Sequence, residues 1–305
     1  MATTTSLTTT YAGELAGEIL SPALIGFETA KHITIKQNVP YKTVVRRIAD
    51  SVSFAAGTCD FTPTGTITID EKILTLEEFQ VQRQICKKDF FTDWSTKDVM
   101  SGRVNSEIQA RILERLTSGI AANMESNVIW TGANGDAGEF DGFYTIIDAD
   151  ANNDVNFVST PIALTAANIV SKMDALIAAM PVAVKSATEK PTIYMNYASW
   201  ELFMQAQIAA GNGWYANLGP KMEGLKYMGL YDLAVCPGLP ANTLIMSQKS
   251  NLWFGTWLES DMNQVSILDM EPQDLSQNVR YSARFYAGCQ IGYTSEIAAY
   301  GVGLS

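Results

Sequence analysis

The residues whose types and spacing come nearest to a site for chemistry are Asp148, Asp150, Asn152 and Asp154, in the string DADANNDVNF. Asp-x-Asp-x-Asn opens a calcium loop, because alternate side chains of a tight loop converge their oxygens on one ion. Here the sixth position is Asn153 where that loop needs Gly, and the twelfth is Ser159 where it needs a bidentate Glu. The string therefore reads as a solvated turn, with Asp148, Asp150 and Asn152 as weak metal candidates. Asp136, Glu139 and Asp141 form a second acidic group, of a kind that serves as paired acid and base where the fold fixes its spacing. No helix or strand pattern holds them, so they too read as loop carboxylates. The one histidine, His32, lies in AKHITIK, a stretch without an acidic residue. Ser-His-Asp and Cys-His catalysis would both have to pass through it, and a solvated or interface residue is the better reading. Cys59, Cys86, Cys236 and Cys289 contain no CxxC pair, so neither a zinc cage nor a disulfide framework is implied. The cysteines read as reduced and the compartment as cytosolic. Scans for GxSxG, HExxH, GxxxxGK[ST] and GxGxxG find nothing. Neither enzymatic activity nor a cofactor is expected.

Charge is more informative than any catalytic motif. The chain carries 21 Lys and Arg against 32 Asp and Glu, a net charge of -11, which is the wrong sign for neutralising phosphates over a broad face. The charges are also segregated. Lys31, Lys36, Lys42, Arg46 and Arg47 lie between residues 30 and 49 with no acid among them. Glu259, Asp261, Asp269, Glu271 and Asp274 form a stretch without a base. Opposite runs of this kind set register between copies of a chain more than they add affinity, and contact between the two runs of neighbouring copies is expected. The competing reading is two solvated faces of opposite sign. Trp94, Trp200, Trp253 and Trp257 lie in apolar segments and read as core packing, whereas Trp214 and Tyr215 stand in a Gly-flanked loop.

The elements that must position these residues follow from periodicity. A chain of 305 residues is long enough for two lobes. Only 17% of it is charged, against about 25% in typical soluble domains, which suggests surface buried against other copies. Residues 1–10 are Thr-rich and read as a mobile arm, followed by a short amphipathic helix over 11–25. Residues 31–54 and 66–85 alternate like strands around AAGTCDFTPTGT, which predicts one long hairpin whose exposed edges call for a partner. Ile108, Ile112, Leu116, Ile120, Met124 and Val128 recur every fourth residue and predict a spine helix over about 105–130. FYTII, at 143–147, reads as a strand. Helices are expected over 165–180, with Thr165 as cap, and over 198–210. Strands are expected at 192–195 and around 230–235, 243–246, 251–254 and 264–268. In VRYSARFYAGCQIGY the odd positions from Val279 to Tyr293 are apolar, the mark of a long strand with one buried face. No apolar run reaches the ~18 residues of a membrane span, and the first residues lack the basic and apolar regions of a signal peptide, so neither is expected.

In this order the elements resemble the major capsid proteins of tailed bacteriophages with the HK97 fold and, more distantly, the encapsulins. PTIYMNYASWELF at 191–203, CPGLPANTLIMSQKSNLWFGT at 236–256 and VRYSARFYAGCQIGY at 279–293 carry the resemblance. It implies an α+β fold with an N-terminal arm over 1–40, an extended E-loop hairpin over 41–90, a peripheral P-domain over 91–182 and 263–305, and an axial A-domain over 183–262. It further implies a structural protein that self-assembles as pentamers and hexamers into an icosahedral shell around double-stranded DNA, without a membrane. A separate scaffolding protein, a portal and decoration proteins would be its partners, since the chain has no long charged helical pro-segment. Assembly in the host cytoplasm and residence in the virion follow. Some family members join an E-loop lysine to a neighbour's asparagine, and Lys72 has the corresponding location. The alternatives are an encapsulin-like compartment enclosing a cargo protein, and a cytosolic enzyme with a carboxylate site between Asp136 and Asp154.

Overall fold

In the computed structural model the described residues are 8–12, 14–50, 54, 56, 66–86, 106–136, 138–150, 154–211, 226–257 and 263–301. The chain begins with β1 (Thr8–Ala12), α1 (Glu14–Ile25), a 3-10 turn at Glu28–His32 and β2 (Thr34–Lys36). Then come β3 (Lys42–Asp50), β4 (Ile67–Thr75), β5 (Glu77–Cys86) and the long α2 (Ser106–Asn123), which runs into a π turn at Met124–Val128. The middle holds α3 (Phe143–Asp148), β6 (Asn156–Phe157), α4 (Ile169–Ala179), α5 (Val182–Ser186), β7 (Thr192–Met195) and α6 (Tyr197–Ala209). The remainder is β8 (Lys226–Tyr227), β9 (Tyr231–Val235), β10 (Thr243–Ser247), β11 (Leu252–Thr256), β12 (Gln264–Asp269), α7 (Glu271–Asp274), β13 (Asn278–Ile291) and β14 (Ala298–Gly301).

The long alternating strand is the axis of the first sheet. β13 pairs with all of β5 along one edge, and with β12 and then β11 along the other, so Val279, Tyr281, Ala283, Phe285 and Ala287 all face a core. Phe285 stacks on Phe79 of β5, with ring centroids 5.3 Å apart and planes 2° from parallel. Beneath the sheet lie α1 and α2. Leu20, Leu24, Ile120, Met124 and Val128 join the sheet's apolar face in one cluster, which is what the fourfold repeat of α2 requires. Two outer strands complete the sheet, β2 parallel to β11 and β1 antiparallel to β12. Thr8–Thr10 thus belongs to a strand and not to a mobile arm. Its backbone groups find partners on the chain's own β12, which supplies the ladder that a Thr-rich segment lacks by itself.

A second sheet, in the order β6-β14-β10-β7-β9-β8, shares this core on one side and has its own on the other. Successive side chains of a strand point to opposite faces. Accordingly Tyr194 enters the first cluster, while its neighbours Ile193 and Met195 enter the second, with Ile169, Met173 and Leu176 of α4 and Phe203 of α6. β11, from 183–262, lies in the first sheet, and β14, from 263–305, lies in the second.

Three further expectations are corrected. The single hairpin over 31–85 divides: β3 pairs only with β4 as a two-stranded ribbon, and after Leu76 the chain leaves the ribbon to join β13 as β5. Alternation specifies which face of a strand is apolar, but not its partner. FYTII is helical, because Phe143 and Ile147 are one turn apart on a buried face and the first amides of α3 are taken by the end of the spine: Phe143 N donates to Ile129 O at 3.0 Å and Tyr144 N to Trp130 O at 2.9 Å. Finally, α4 starts four residues later than expected. Thr165–Asn168 forms a separate turn closed by the Thr165 amide donating to Asn168 Oδ1 at 2.8 Å.

Candidate assembly surfaces

The ribbon is built in register, and the register sorts its side chains. Lys42–Thr75, Val44–Ile73, Arg46–Glu71, Ile48–Ile69 and Asp50–Ile67 are opposed pairs on one face; Thr43–Leu74, Val45–Lys72, Arg47–Asp70 and Ala49–Thr68 occupy the other. Among the described side chains, this first face is an apolar stripe interrupted by the Arg46–Glu71 ion pair, with Lys42 at the ribbon's root. Val44, Ile67, Ile69 and Ile73 are 46%, 65%, 60% and 51% exposed, so a run of β-branched side chains that would normally be buried stands in solvent.

The ribbon's root is fixed. Leu74 and Leu76 are fully buried with Val39, packed against Trp257 and Tyr286. Two glycines of the first sheet make room for them: a Cβ at Gly288 would stand 2.2 Å from the Thr75 carbonyl oxygen, and one at Gly255 would stand 2.7 Å from Leu74 Cδ2. On the incoming side the chain turns through Asn38 and Tyr41, both in the left-handed region at φ 60° and 48°. Amides of Val39 and Leu76 donate to Thr256 O at 3.1 Å and Tyr41 O at 2.9 Å, clamping this turn to β11. A further clamp is Gln290, whose Nε2 donates to Ile73 O at 2.9 Å.

The basic run expected to reach another copy already has companions in its own chain. Lys31 Nζ lies 2.9 Å from Glu28, and Arg46 Nε lies 2.6 Å from Glu71, with both pairs exposed. Lys36 Nζ is 4.4 Å from the Trp253 ring centre and partial burial lowers its pKa. Lys42 Nζ is 5.6 Å from the Tyr41 ring. Arg47 stands opposite Asp70 in the ribbon, and its side chain lies outside the described set. Of the acidic run, Asp269 is buried and accepts the Glu271 amide at 3.1 Å, while Asp274 accepts the Ser276 amide at 2.9 Å; Glu271 is exposed at the start of α7. Glu259 and Asp261 lie outside the described residues. Within one copy, Asp269 and Asp274 serve the turn after β12.

The metal candidates are likewise absorbed by local structure. Asp150 Oδ2 accepts the Val155 amide at 2.9 Å, Asp148 is exposed at the end of α3, and Asn152 lies outside the described residues. Glu139 accepts the Ala133 amide at 3.1 Å and Asp141 the Asn134 amide at 2.9 Å, so they staple one turn; Asp136 is exposed. Among the described residues no three His, Cys, Asp or Glu side chains are grouped to hold a metal. Burial pushes the thiols of Cys236 and Cys289 upward, opposite to the shift that would activate a nucleophile. The backbone oxygen of His32 accepts Tyr194 Oη at 2.6 Å. Trp200 and Trp253 are buried, and Trp214 and Tyr215 lie outside the described residues.

One polar cluster escaped the reading of the sequence. Glu125, in the π turn, is buried and accepts Thr29 N at 3.0 Å and Thr29 Oγ1 at 2.6 Å, while Trp130 Nε1 donates to the same hydroxyl at 3.0 Å. Its available signal was an acid placed beside Met124, on the apolar row of the spine.

No protein-family model matches the chain, and no curated protein matches it. Solved structures do. A chain of the satellite phage P4 procapsid that includes the size determination (Sid) protein is 12% identical, with a TM-score of 0.57 over 93% of this chain and 89% of that one. A chain of the native GTA particle capsid, computed with C5 symmetry, is 13% identical at a TM-score of 0.55, over 90% of each. A Mycobacterium phage Bobi chain is 13% identical at 0.56, again over 90% of each. With its apolar-faced ribbon, spine helix and two sheets, the chain has the α+β, HK97-like fold of phage capsid proteins.

Proposed function

We propose that this chain is a major capsid protein, the repeating subunit of an icosahedral shell that encloses a double-stranded DNA genome. The observation that carries this reading is the ribbon. Val44, Ile67, Ile69 and Ile73 present an apolar stripe that the chain's own sheets do not cover, on an arm whose root is rigidly packed. Apolar surface is worth about 25 cal/mol per Å² when removed from water, and a second copy is the partner that repetition by symmetry always supplies. The likeness of the fold to capsid chains supports the same conclusion. The role is structural, with no catalytic step.

In this reading the ribbon is the E-loop, the first sheet with α2 is the P-domain, and the second sheet with α4 and α6 is the A-domain. Copies gather as pentamers and hexamers, aided by a separate scaffolding protein, a portal and decoration proteins, and the shell assembles in the host cytoplasm. The net charge of -11 suits a container that must not cling to its DNA. The charge contact between copies also stands in the proposal. Exposed pairs such as Arg46–Glu71 contribute only about 0–1 kcal/mol, so exchanging Glu71 for an acid of a neighbour's 259–274 segment costs little.

Electron microscopy of the purified, concentrated chain tests the proposal. Closed isometric particles are expected, with nuclease-protected DNA in those taken from infected cells. Particles filled with a cargo protein would move the reading to an encapsulin-like compartment, and an absence of particles would remove it.

A further inference from the structure

The Glu125 cluster sits where three parts of the fold meet. Glu125 itself belongs to the π turn that ends the spine, in which Ile129 N reaches back to Met124 O at 2.9 Å. Thr29 belongs to the 3-10 turn leading into β2, and the Gly238 amide, which also acts on the carboxylate, belongs to the turn after β9 of the second sheet. The fit is close: a Cβ at Gly238 would stand 1.8 Å from the Glu125 backbone oxygen. Tyr194 Oη, bonded to His32 O, ties the same 3-10 turn to β7. An extra residue in a helical turn turns the side chains that follow it to a new face, which is a means of placing a polar group among apolar neighbours.

The geometry points to Glu125 as a proton-sensitive latch that holds the 3-10 turn, the end of the spine and the second sheet together, its protonation state changing how tightly the turn is held. As a carboxylate it only accepts, from Thr29 N, from Thr29 Oγ1 and from Gly238 N, while Trp130 donates to Thr29 Oγ1. As a carboxylic acid it must donate one proton, and the group able to take it is Thr29 Oγ1, whose own hydrogen then turns away. The titratable groups that act on it or that it acts on are Glu28 from the 3-10 turn and Cys236 from the end of β9, and the same turn carries Lys31 and His32. Desolvation raises the pKa of the carboxyl, bonds from Thr29 and Gly238 oppose the rise, and Glu28 adds to it. A carboxyl raised in the folded chain holds its proton more tightly there than in the unfolded chain. The stability it contributes is complete below the ordinary value of 4.5 and is lost as pH climbs through the raised value.

The experiment follows hydrogen exchange, corrected for the intrinsic rate at each pH, in the peptide covering Glu28–His32 of the full-length chain. In the unsubstituted protein, protection of this peptide rises several-fold as pH falls through the titration. Glu125→Gln, whose amide donates to Thr29 Oγ1 as the acid would, shows the protonated pattern at every pH and no step. An equal step in Glu125→Gln, or a flat profile in the unsubstituted protein, overturns the latch. Should Glu125→Gln fail to fold, Thr29→Ser and Thr29→Val decide: Ser keeps the step where it is, Val removes the hydroxyl that opposes the rise and moves the step to higher pH, and identical profiles overturn the proposal. The result stands apart from shell formation, since it is read from one turn within the subunit.

Discussion

Gly288 lies beneath Thr75 so closely that the smallest side chain at 288 would stand 2.2 Å from the Thr75 carbonyl oxygen. This contact is where the ribbon leaves the first sheet. Gly288→Ala must push β4 away from β13 and disturb the packing of Leu74 and Leu76. Overpacking of this kind costs about 1–3 kcal/mol, and the loss is expected in chemical denaturation, together with reduced assembly because the ribbon leaves at a changed angle.

Tyr194 joins the second sheet to the 3-10 turn by donating from Oη to His32 O at 2.6 Å. Tyr194→Phe keeps the ring packed against Trp130 but removes that hydrogen bond. A decrease in stability of about 1 kcal/mol is expected from denaturant titration, with faster exchange in the peptide covering Glu28–His32.

Tyr281, on the buried face of β13, has its pKa raised from 10.0 to about 12, first by burial and then by the nearby Asp269. The folded chain holds this proton more tightly than the unfolded chain does. Its contribution to stability is therefore complete below pH 10 and disappears as pH rises through about 12. Melting temperatures across that alkaline window are expected to fall less steeply in Tyr281→Phe than in the unsubstituted protein.

Calcium is expected to leave the melting temperature unchanged. Asp150 already spends an oxygen on the Val155 amide, and Asp148 stands apart on the end of α3. A calcium titration followed by calorimetry checks this; a rise in melting temperature with added ion would restore the 148–154 loop as a metal site.

Much of this architecture was legible because the buried faces are regular. The alternation from Val279 onward gave away β13, and the fourfold repeat from Ile108 to Val128 gave away the spine, whose described members Ile120, Met124 and Val128 are buried in one core. Partners were less legible. Nothing local tells Glu77–Cys86 to pair with β13 in place of β3, because period two marks a face and not a neighbour. FYTII is too short for period two and period four to be told apart, and the amides that start α3 depend on carbonyls of Ile129 and Trp130. For the assembly surface, the basic run was visible but its cross-strand acid was not: Glu71 reaches Arg46 only once the ribbon's register is set. The Glu125 cluster was hidden for the same reason, its Thr29 lying 96 residues earlier in the chain.

The account depends most on the ribbon's apolar face being covered by another copy, and Ile69→Asp combined with Ile73→Asp tests it directly. Both side chains are more than half exposed, so the folded subunit should keep its stability to within about 0.5 kcal/mol. Sedimentation velocity of the two proteins at matched concentration is predicted to show large closed particles for the unsubstituted chain and folded single subunits for the double variant. Particles of equal size and yield from both, or a lone subunit at every concentration of the unsubstituted chain, would contradict it.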